Sequence, residues 1–327
     1  MPKLPRPAGR SPLPGLVAGV AALTLLLGAC SGGAGSDTAG AADPSSAATP
    51  SSPSSEGSPD APTTSAPTTA APNGEQYVAL GDSYTAAPLV PSTDTADGCL
   101  RSDGNYPHLL AAELGYELTD VSCVGATTSS MIGVQQTGSG AQPAQFEALG
   151  RGTDLVTVGI GGNDVELFTT LFQQCLPLAA QDPDGAPCTE QLKGGPDDLL
   201  PAVARVDGLV EAIVTGIRQR APKAEIVVVD YPQLLPAEGT CEAGALAAGD
   251  YPYVREVNAA LSRAVMAGAR AADAEVIDVL GMSRGHDVCS EDPWVNGIQT
   301  DPERALAFHP FAVEQEAVAA AIADLVG

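Results

Sequence analysis

Short runs of apolar residues recur along the chain after residue 75, with helix-like segments between them. Val, Ile and Leu form near-continuous runs at residues 76–80, 154–160, 225–229 and 275–279, with a weaker run at 116–121. Runs that are apolar at every position are typical of strands buried on both faces of a parallel sheet. Apolar residues with helical spacing occur between them, at residues 106–114, 203–220, 254–272 and 313–326.

This alternation predicts the fold class. Strands that alternate with helices form right-handed crossovers, which place helices on both faces of a parallel sheet. We therefore predict an α/β domain over residues 75–327, a three-layer α/β/α sandwich with a central parallel sheet that is flavodoxin-like in plan. In such sheets the active site lies at the carboxyl ends of the strands.

The N-terminal part of the chain has a different pattern. Three basic residues precede an apolar run at 16–27, which is shorter than the roughly 20 residues that a membrane span needs, so residues 1–30 predict an export signal. Leu27-Gly28-Ala29-Cys30 resembles a bacterial lipobox, in which the cysteine is lipidated. An ordinary secretory signal and an uncleaved membrane helix are the alternatives. Residues 31–74 are rich in Ser, Pro, Thr and Ala and predict a disordered tether, because they can bury little apolar surface.

The charge of the chain excludes one class of partner. The chain has 40 acidic residues against 15 Lys and Arg, a net charge of −25, which argues against nucleic acid as a partner.

An even number of cysteines in an exported domain predicts disulfides, and the absence of a C-x-x-C pair argues against a zinc site. Six cysteines allow 15 pairings. We expect neighbours in sequence to pair, because each such pair brackets a loop or insertion; the six are Cys99, Cys123, Cys175, Cys188, Cys241 and Cys289.

Four short motifs follow the predicted strands. They are Gly81-Asp82-Ser83 after the first strand, Gly125 after the second, Gly161-Gly162-Asn163-Asp164 after the third, and His309-Pro310 before the last helix. Each has an ordinary explanation by itself, since Asp-Ser is a common helix cap and Asn is a common turn residue.

Taken in this order, the four motifs resemble those of the SGNH (GDSL) hydrolases, a family of esterases and lipases, and the resemblance covers residues 76–327. The resemblance implies that Ser83 is the nucleophile and His309 its general base. It also implies an oxyanion hole made of the backbone amides of Ser83 and Gly125 and the side-chain amide of Asn163. It implies no metal and no cofactor, and a small-molecule or lipid ester as substrate. We expect a monomer that meets the membrane only through the lipid on Cys30, with Asp82 and Asp164 bracing their loops.

The general base could be one of three histidines. His309 occupies the family's position, His286 in the loop after the last strand is the second candidate, and His108 lies in a predicted helix. Most family members have Asp three residues before the catalytic His, where this chain has Leu306. Either a main-chain carbonyl near Leu306 orients His309, as the similarity to actinobacterial extracellular esterases implies, or another carboxylate such as Asp301 does so.

The motifs leave the substrate open. Phospholipid, thioester and acetylated polysaccharide would all suit the same oxyanion chemistry, and a non-catalytic surface lipoprotein with this fold is a further alternative. We expect the loops at 86–106, 167–201 and 234–250 to shape the pocket.

Overall fold

A computed structural model describes residues 73–327. Its strands are β1 (Gln76–Gly81), β2 (Glu117–Asp120), β3 (Gln135–Thr137), β4 (Gly140–Gln142), β5 (Thr153–Gly159), β6 (Glu225–Val229) and β7 (Glu275–Ile277). Its helices are α1 (Ser83–Ala86), α2 (Tyr106–Leu114), α3 (Thr128–Ile132), α4 (Leu167–Thr170), α5 (Leu176–Ala179), α6 (Pro187–Leu192), α7 (Leu199–Val203), α8 (Val206–Arg220), α9 (Tyr251–Ala271), α10 (Val279–Met282) and α11 (Ala312–Val326). A π-helical turn at Leu171–Cys175 joins α4 to α5. The predicted export signal, Cys30 and nearly all of the predicted tether lie outside the described residues.

The central sheet is built from the five predicted strands. Their order is β2-β1-β5-β6-β7, and every neighbouring pair is parallel. The first strand therefore lies inside the sheet, between β2 and β5. Gly81 at the end of β1 is opposite Gly159 at the end of β5. The motifs that follow these two strands consequently leave the sheet at the same edge.

Helices cover both faces of this sheet, which confirms the predicted three-layer architecture. Along β1, Val78 and Leu80 pack into one core with residues of α8 and α9. Tyr77 and Ala79 point the other way and pack with residues of α2 and α11. Alternate residues of one strand thus enter two different cores, which explains why the strand is apolar at every position.

The predicted helices are present, with one exception in their bounds. The helix at 106–114 has the predicted limits, and α9 and α11 each begin a little earlier than predicted. The helix predicted over 203–220 is α8, which ends at Arg220 as predicted but begins at Val206, because a break after Val203 separates it from α7. The Arg205 amide bonds to Ala202, three residues back. The Pro201 carbonyl, which an unbroken helix would pair with that amide, accepts instead from the Arg205 guanidinium at 3.4 Å.

Three disulfides brace the loops of the domain. The structure joins the cysteines in sequence order, as expected: Cys99–Cys123, Cys175–Cys188 and Cys241–Cys289. Each closes a loop at the carboxyl side of the sheet or between the helices that cover it, so each restricts the unfolded chain. Among residues 73–327, no helix has both the length and the apolar character required to span a membrane.

Candidate active site

Ser83 is the first residue of the short helix α1, directly after β1. A β-carbon on Gly81 would lie 2.8 Å from the Gly159 carbonyl oxygen, so only glycine fits at the end of this strand. Asp82 caps the helix, because its Oδ1 accepts a hydrogen bond from the Tyr84 amide at 2.9 Å. Ser83 itself is 9% exposed. The turn therefore fixes the serine at the edge of the sheet with little solvent around it.

A buried hydrogen-bonded chain links the first motif to the third. The Tyr231 hydroxyl accepts from the Gly162 amide at 2.9 Å and donates to Asp82 Oδ2 at 2.6 Å. Burial raises the pKa of Asp82 to about 7, while the bonds from Tyr231 and the Tyr84 amide oppose that rise. Asp82 thus braces the site, as expected. The sequence did not predict Tyr231.

The two remaining oxyanion candidates lie on adjacent segments. Gly125 is exposed and has φ +72°, and a β-carbon there would meet no atom within 4 Å, so its backbone faces open space. The Asn163 side-chain amide donates to the Ala126 carbonyl at 3.0 Å, which leaves its second N–H for another acceptor. Asp164 accepts from the Thr128 amide at 3.0 Å and so holds the two segments together.

His309 is oriented by the main chain. Its Nδ1 lies 2.8 Å from the Ala307 carbonyl oxygen. A carbonyl can only accept, so Nδ1 carries the proton and Nε2 is left as the basic nitrogen. Burial lowers the pKa of His309, and the bond to Ala307 raises it by a smaller amount. Asp301 is engaged elsewhere, since its Oδ1 accepts from the Glu303 amide at 3.0 Å.

Tyr84 brings the serine and the histidine segments together. Its ring stacks on His309 with centroids 5.4 Å apart, and its hydroxyl donates to the Phe308 carbonyl at 2.7 Å. Because Tyr84 follows Ser83 directly, these contacts place both predicted residues in one cluster. The sequence did not predict Tyr84 either.

The other two histidines contact residues outside this cluster. Nδ1 of His286 is 2.8 Å from the Asp292 carbonyl oxygen, and its ring stacks on Trp294 with centroids 4.7 Å apart. His108 bonds to Asn105 at 2.7 Å at the start of α2. Within the described part of the chain, no three His, Cys, Asp or Glu side chains are grouped as a metal site requires.

An apolar crevice adjoins the cluster. Phe168 stacks on Tyr84 with centroids 5.5 Å apart, and Phe308 precedes His309; both line the crevice. The rest of its wall comes from two of the three loops expected to shape the pocket and from α9, namely Leu171, Phe172, Leu176, Leu234, Leu235, Gly244, Leu246 and Val254. The loop at 86–106 contributes nothing to it. Its free volume of 20 Å³ holds roughly one water, so an acyl chain needs these side chains to move.

Comparison with known proteins shows the family of the chain. The family model of the GDSL-like lipases and acylhydrolases matches residues 79–312. Lipase 2 of Streptomyces coelicolor is 38% identical over 276 residues, covering 82% of this chain and 91% of that protein. The crystal structure of phospholipase A1 from Streptomyces albidoflavus NA297 is 27% identical with a TM-score of 0.60, over 74% of this chain and 94% of that one. The extracellular lipase from Streptomyces rimosus is 26% identical with a TM-score of 0.56, over 74% and 95%. The order of the motifs, the sheet and these matches together show that the chain belongs to the GDSL-like lipase/acylhydrolase family of carboxylic ester hydrolases.

Proposed function

We propose that the chain hydrolyses carboxylic esters through a Ser83–His309 dyad. The observation that carries this proposal is the hydrogen bond from His309 Nδ1 to the Ala307 carbonyl at 2.8 Å. It fixes the tautomer in which Nε2 accepts a proton, and Tyr84 holds the ring beside the nucleophile segment.

The reaction takes place in two acyl transfers. Ser83 Oγ attacks the ester carbonyl carbon and gives its proton to His309 Nε2. The negative charge that develops on the ester oxygen is met by the amides of Ser83 and Gly125 and by Asn163 Nδ2. The intermediate collapses, and the alcohol leaves with the proton from Nε2. Water then attacks the acyl-enzyme by the same route, and Ser83 regains its proton.

A carbonyl supports the base differently from a carboxylate. It supplies a dipole instead of a full charge, so it orients the ring but stabilises the imidazolium less. The partly buried position of His309 adds to this effect, since burial already lowers its pKa. We infer an enzyme whose base is neutral over most of the physiological pH range.

The crevice favours an apolar acyl group. Its ten lining residues are nine large hydrophobic side chains and one glycine, with no charged group among them. A fatty acyl ester or phospholipid fits this wall better than an acetylated polysaccharide, whose alcohol part is polar. Relatives of the chain are named lipase and phospholipase A1.

The nucleophile is tested with a fluorophosphonate probe, which phosphonylates an activated serine. Wild type should be labelled and should hydrolyse p-nitrophenyl esters of graded length, and Ser83→Ala should lose both properties. His309→Ala should be nearly inactive, whereas His286→Ala is the matched histidine control and should be nearly normal. Labelling that survived in Ser83→Ala would disprove the assignment.

The dyad is tested at Asp301. Neutralising the aspartate of a triad lowers kcat on the order of 10⁴-fold. Because Asp301 caps a turn at Glu303, Asp301→Asn should change kcat little. A collapse of kcat with the fold intact would show that a carboxylate completes a triad.

We also infer that the protein is exported and anchored by lipid on Cys30. Residues 16–27 and the tetrapeptide that ends at Cys30 support this, as does the use of six cysteines in disulfides, which persist outside the reducing cytosol.

A further inference from the structure

Two apolar side chains stand out on the surface of the domain. Ile132 is 70% exposed and Val134 is 61% exposed, whereas the other exposed large hydrophobics, Leu209, Val313 and Leu325, are only 36% to 40% exposed. Single exposed apolar residues are normal on soluble proteins. The position of this pair and the composition of its surroundings are what make it informative.

The pair lies at the rim of the candidate active site. Helix α3 starts at Thr128, whose amide bonds to Asp164, and Ile132 is its last residue. Five helical residues span about 7 Å, so Ile132 lies one short helix away from the oxyanion segment. On the return side, the Gln135 side chain donates to the Val124 carbonyl at 2.8 Å. The loop is thus tied at both ends beside Gly125, and its apolar tip keeps a fixed place.

This part of the chain is also free of charge. No Asp, Glu, Lys, Arg or His occurs between Asp120 and Glu147, the longest such run among residues 73–327. The whole chain carries 40 acidic residues and a net charge of −25. A carboxylate at the rim would resist transfer out of water, and a cluster of lysines would select an anionic surface. The run between Asp120 and Glu147 contributes neither to the rim, and its polar residues are Ser, Thr and Gln; the Asp164 carboxylate at the start of α3 is bonded to the Thr128 amide.

We propose that Ile132 and Val134 dock the enzyme on an uncharged lipid–water interface, with the oxyanion side of the site facing the lipid. This inference rests on the proposed function, because long-chain fatty acyl esters aggregate in water and an esterase that acts on them collects its substrate from the aggregate. A second copy of the chain is the competing occupant. Two side chains bury far less surface than the roughly 800 Å² per partner that a stable protein interface buries. Individual side chains can, in contrast, insert into a lipid surface.

The test compares three versions of the full chain, all carrying Cys30→Ser so that no lipid anchor contributes. They are the parent, the double variant Ile132→Ser/Val134→Ser, and the control Leu209→Ser/Leu325→Ser, which removes exposed apolar residues outside the uncharged run. Binding is measured by co-sedimentation with vesicles of ether-linked phosphatidylcholine, which contains no ester to hydrolyse. Activity is measured on p-nitrophenyl acetate in solution and on p-nitrophenyl palmitate dispersed in the same vesicles.

We expect the rim variant to bind vesicles on the order of tenfold more weakly, since two apolar side chains no longer leave water. Its hydrolysis of the vesicle-borne ester should fall in parallel, and its hydrolysis of the soluble ester should stay within twofold of the parent. Equal vesicle binding by all three versions, or an equal loss in the control, would overturn the proposal. So would dimerisation of the parent that the rim variant abolishes. If the parent hydrolyses neither ester, the proposed function fails, and co-sedimentation still decides whether the rim docks on lipid.

Discussion

Replacing Tyr231 with phenylalanine should damage both the stability and the activity of the domain. The substitution removes one hydroxyl and leaves the ring, which is 2% exposed, in place. That hydroxyl accepts from the Gly162 amide and donates to Asp82, and Asp82 is fully buried. Both partners then lose a hydrogen bond in a region that water does not reach.

The size of the effect follows from these two losses. A buried amide left without an acceptor costs roughly 1–3 kcal/mol. The pKa of Asp82 is already raised to about 7 by burial, and loss of the Tyr231 donor raises it further, so the carboxyl group becomes protonated at neutral pH. The second loss is then that of a neutral acceptor, about 1 kcal/mol. We expect the free energy of unfolding to fall by about 2–4 kcal/mol in total.

Activity should fall as well, because Gly162 precedes Asn163 and Asp82 precedes Ser83. A displacement of about 1 Å in a catalytic group can cost on the order of a hundredfold in rate, so we expect kcat to drop by about ten- to a hundredfold. The fall should be in kcat more than in KM, since no contact to the crevice is removed.

Tyr253→Phe is the matched control. The Tyr253 hydroxyl also accepts from an amide, that of Leu199, and donates to a carboxylate, that of Asp198, at 2.9 Å in both cases. Asp198 is half-buried and has no part in the site, so water can replace the bond to its carboxylate, whereas the buried Leu199 amide loses its acceptor as the Gly162 amide does. Urea unfolding should show a loss of about 1–3 kcal/mol from the Leu199 amide, with kcat unchanged. If Tyr231→Phe left kcat as unchanged as this control does, the linking role of Tyr231 would be wrong.

Three further predictions concern other ionisable or reactive groups. Because burial lowers the pKa of His309, its basic form persists to lower pH, and the acid limb of the kcat/KM profile should lie below pH 6.5; a limb above pH 7 would contradict the dyad. Burial raises the pKa of Glu314 from 4.5 to about 8, so between these values the folded chain keeps a proton that the unfolded chain has lost, and stability falls as pH rises through this window. The stability of Glu314→Gln relative to wild type should therefore rise between pH 5 and 8, by a few kcal/mol in the free energy of unfolding measured with urea. A stability difference that does not change with pH would refute this. Cys30→Ser should move the protein from the membrane fraction to the soluble fraction, and unchanged fractionation would exclude the lipobox.

Most of the fold could be predicted because its strands are buried on both faces. Such strands are apolar throughout, and all five were found with bounds within a few residues. The hairpin of β3 and β4 gave no such signal, since its strands are Gln135–Thr137 and Gly140–Gln142 and contain almost nothing apolar. The break at Arg205 could not be predicted from the spacing of apolar residues either. It depends on which donor bonds to the Pro201 carbonyl.

The candidate site was predicted where its residues form motifs and missed where they resemble core. Ser83, Gly125 and Asn163 follow strands and His309 precedes the last helix, in a recognisable order. Tyr84 and Tyr231 are aromatic and almost fully buried, so in the sequence they read as packing residues. A signal was present for Tyr231, which lies two residues after β6 and so at the same edge of the sheet as the motifs.

The orientation of His309 depends on more than the one bond to Ala307. Phe308 has φ +55°, an unfavourable conformation for a residue other than glycine, so other contacts must hold it. The Phe308 amide donates to Gly297 at 3.0 Å, and the Asn296 amide donates to the His309 carbonyl at 2.9 Å. The buried Asn296 side chain also donates to the carbonyls of Ala305 and Leu306, at 2.9 and 3.1 Å.

These bonds explain how a histidine can act without a carboxylate partner. In a triad, a single charged side chain both orients the imidazole and stabilises its charged form. Here the main chain does the orienting, and it is itself held by Asn296 and by the Tyr84 hydroxyl, which donates to the Phe308 carbonyl at 2.7 Å. The charge of the imidazolium is met by the dipole of the Ala307 carbonyl, and the rise in the pKa of His309 that this bond gives is smaller than the fall that burial causes. In the proposed dyad, Leu306 in place of an acidic residue therefore removes charge stabilisation from the proposed base but leaves the orientation of His309 intact.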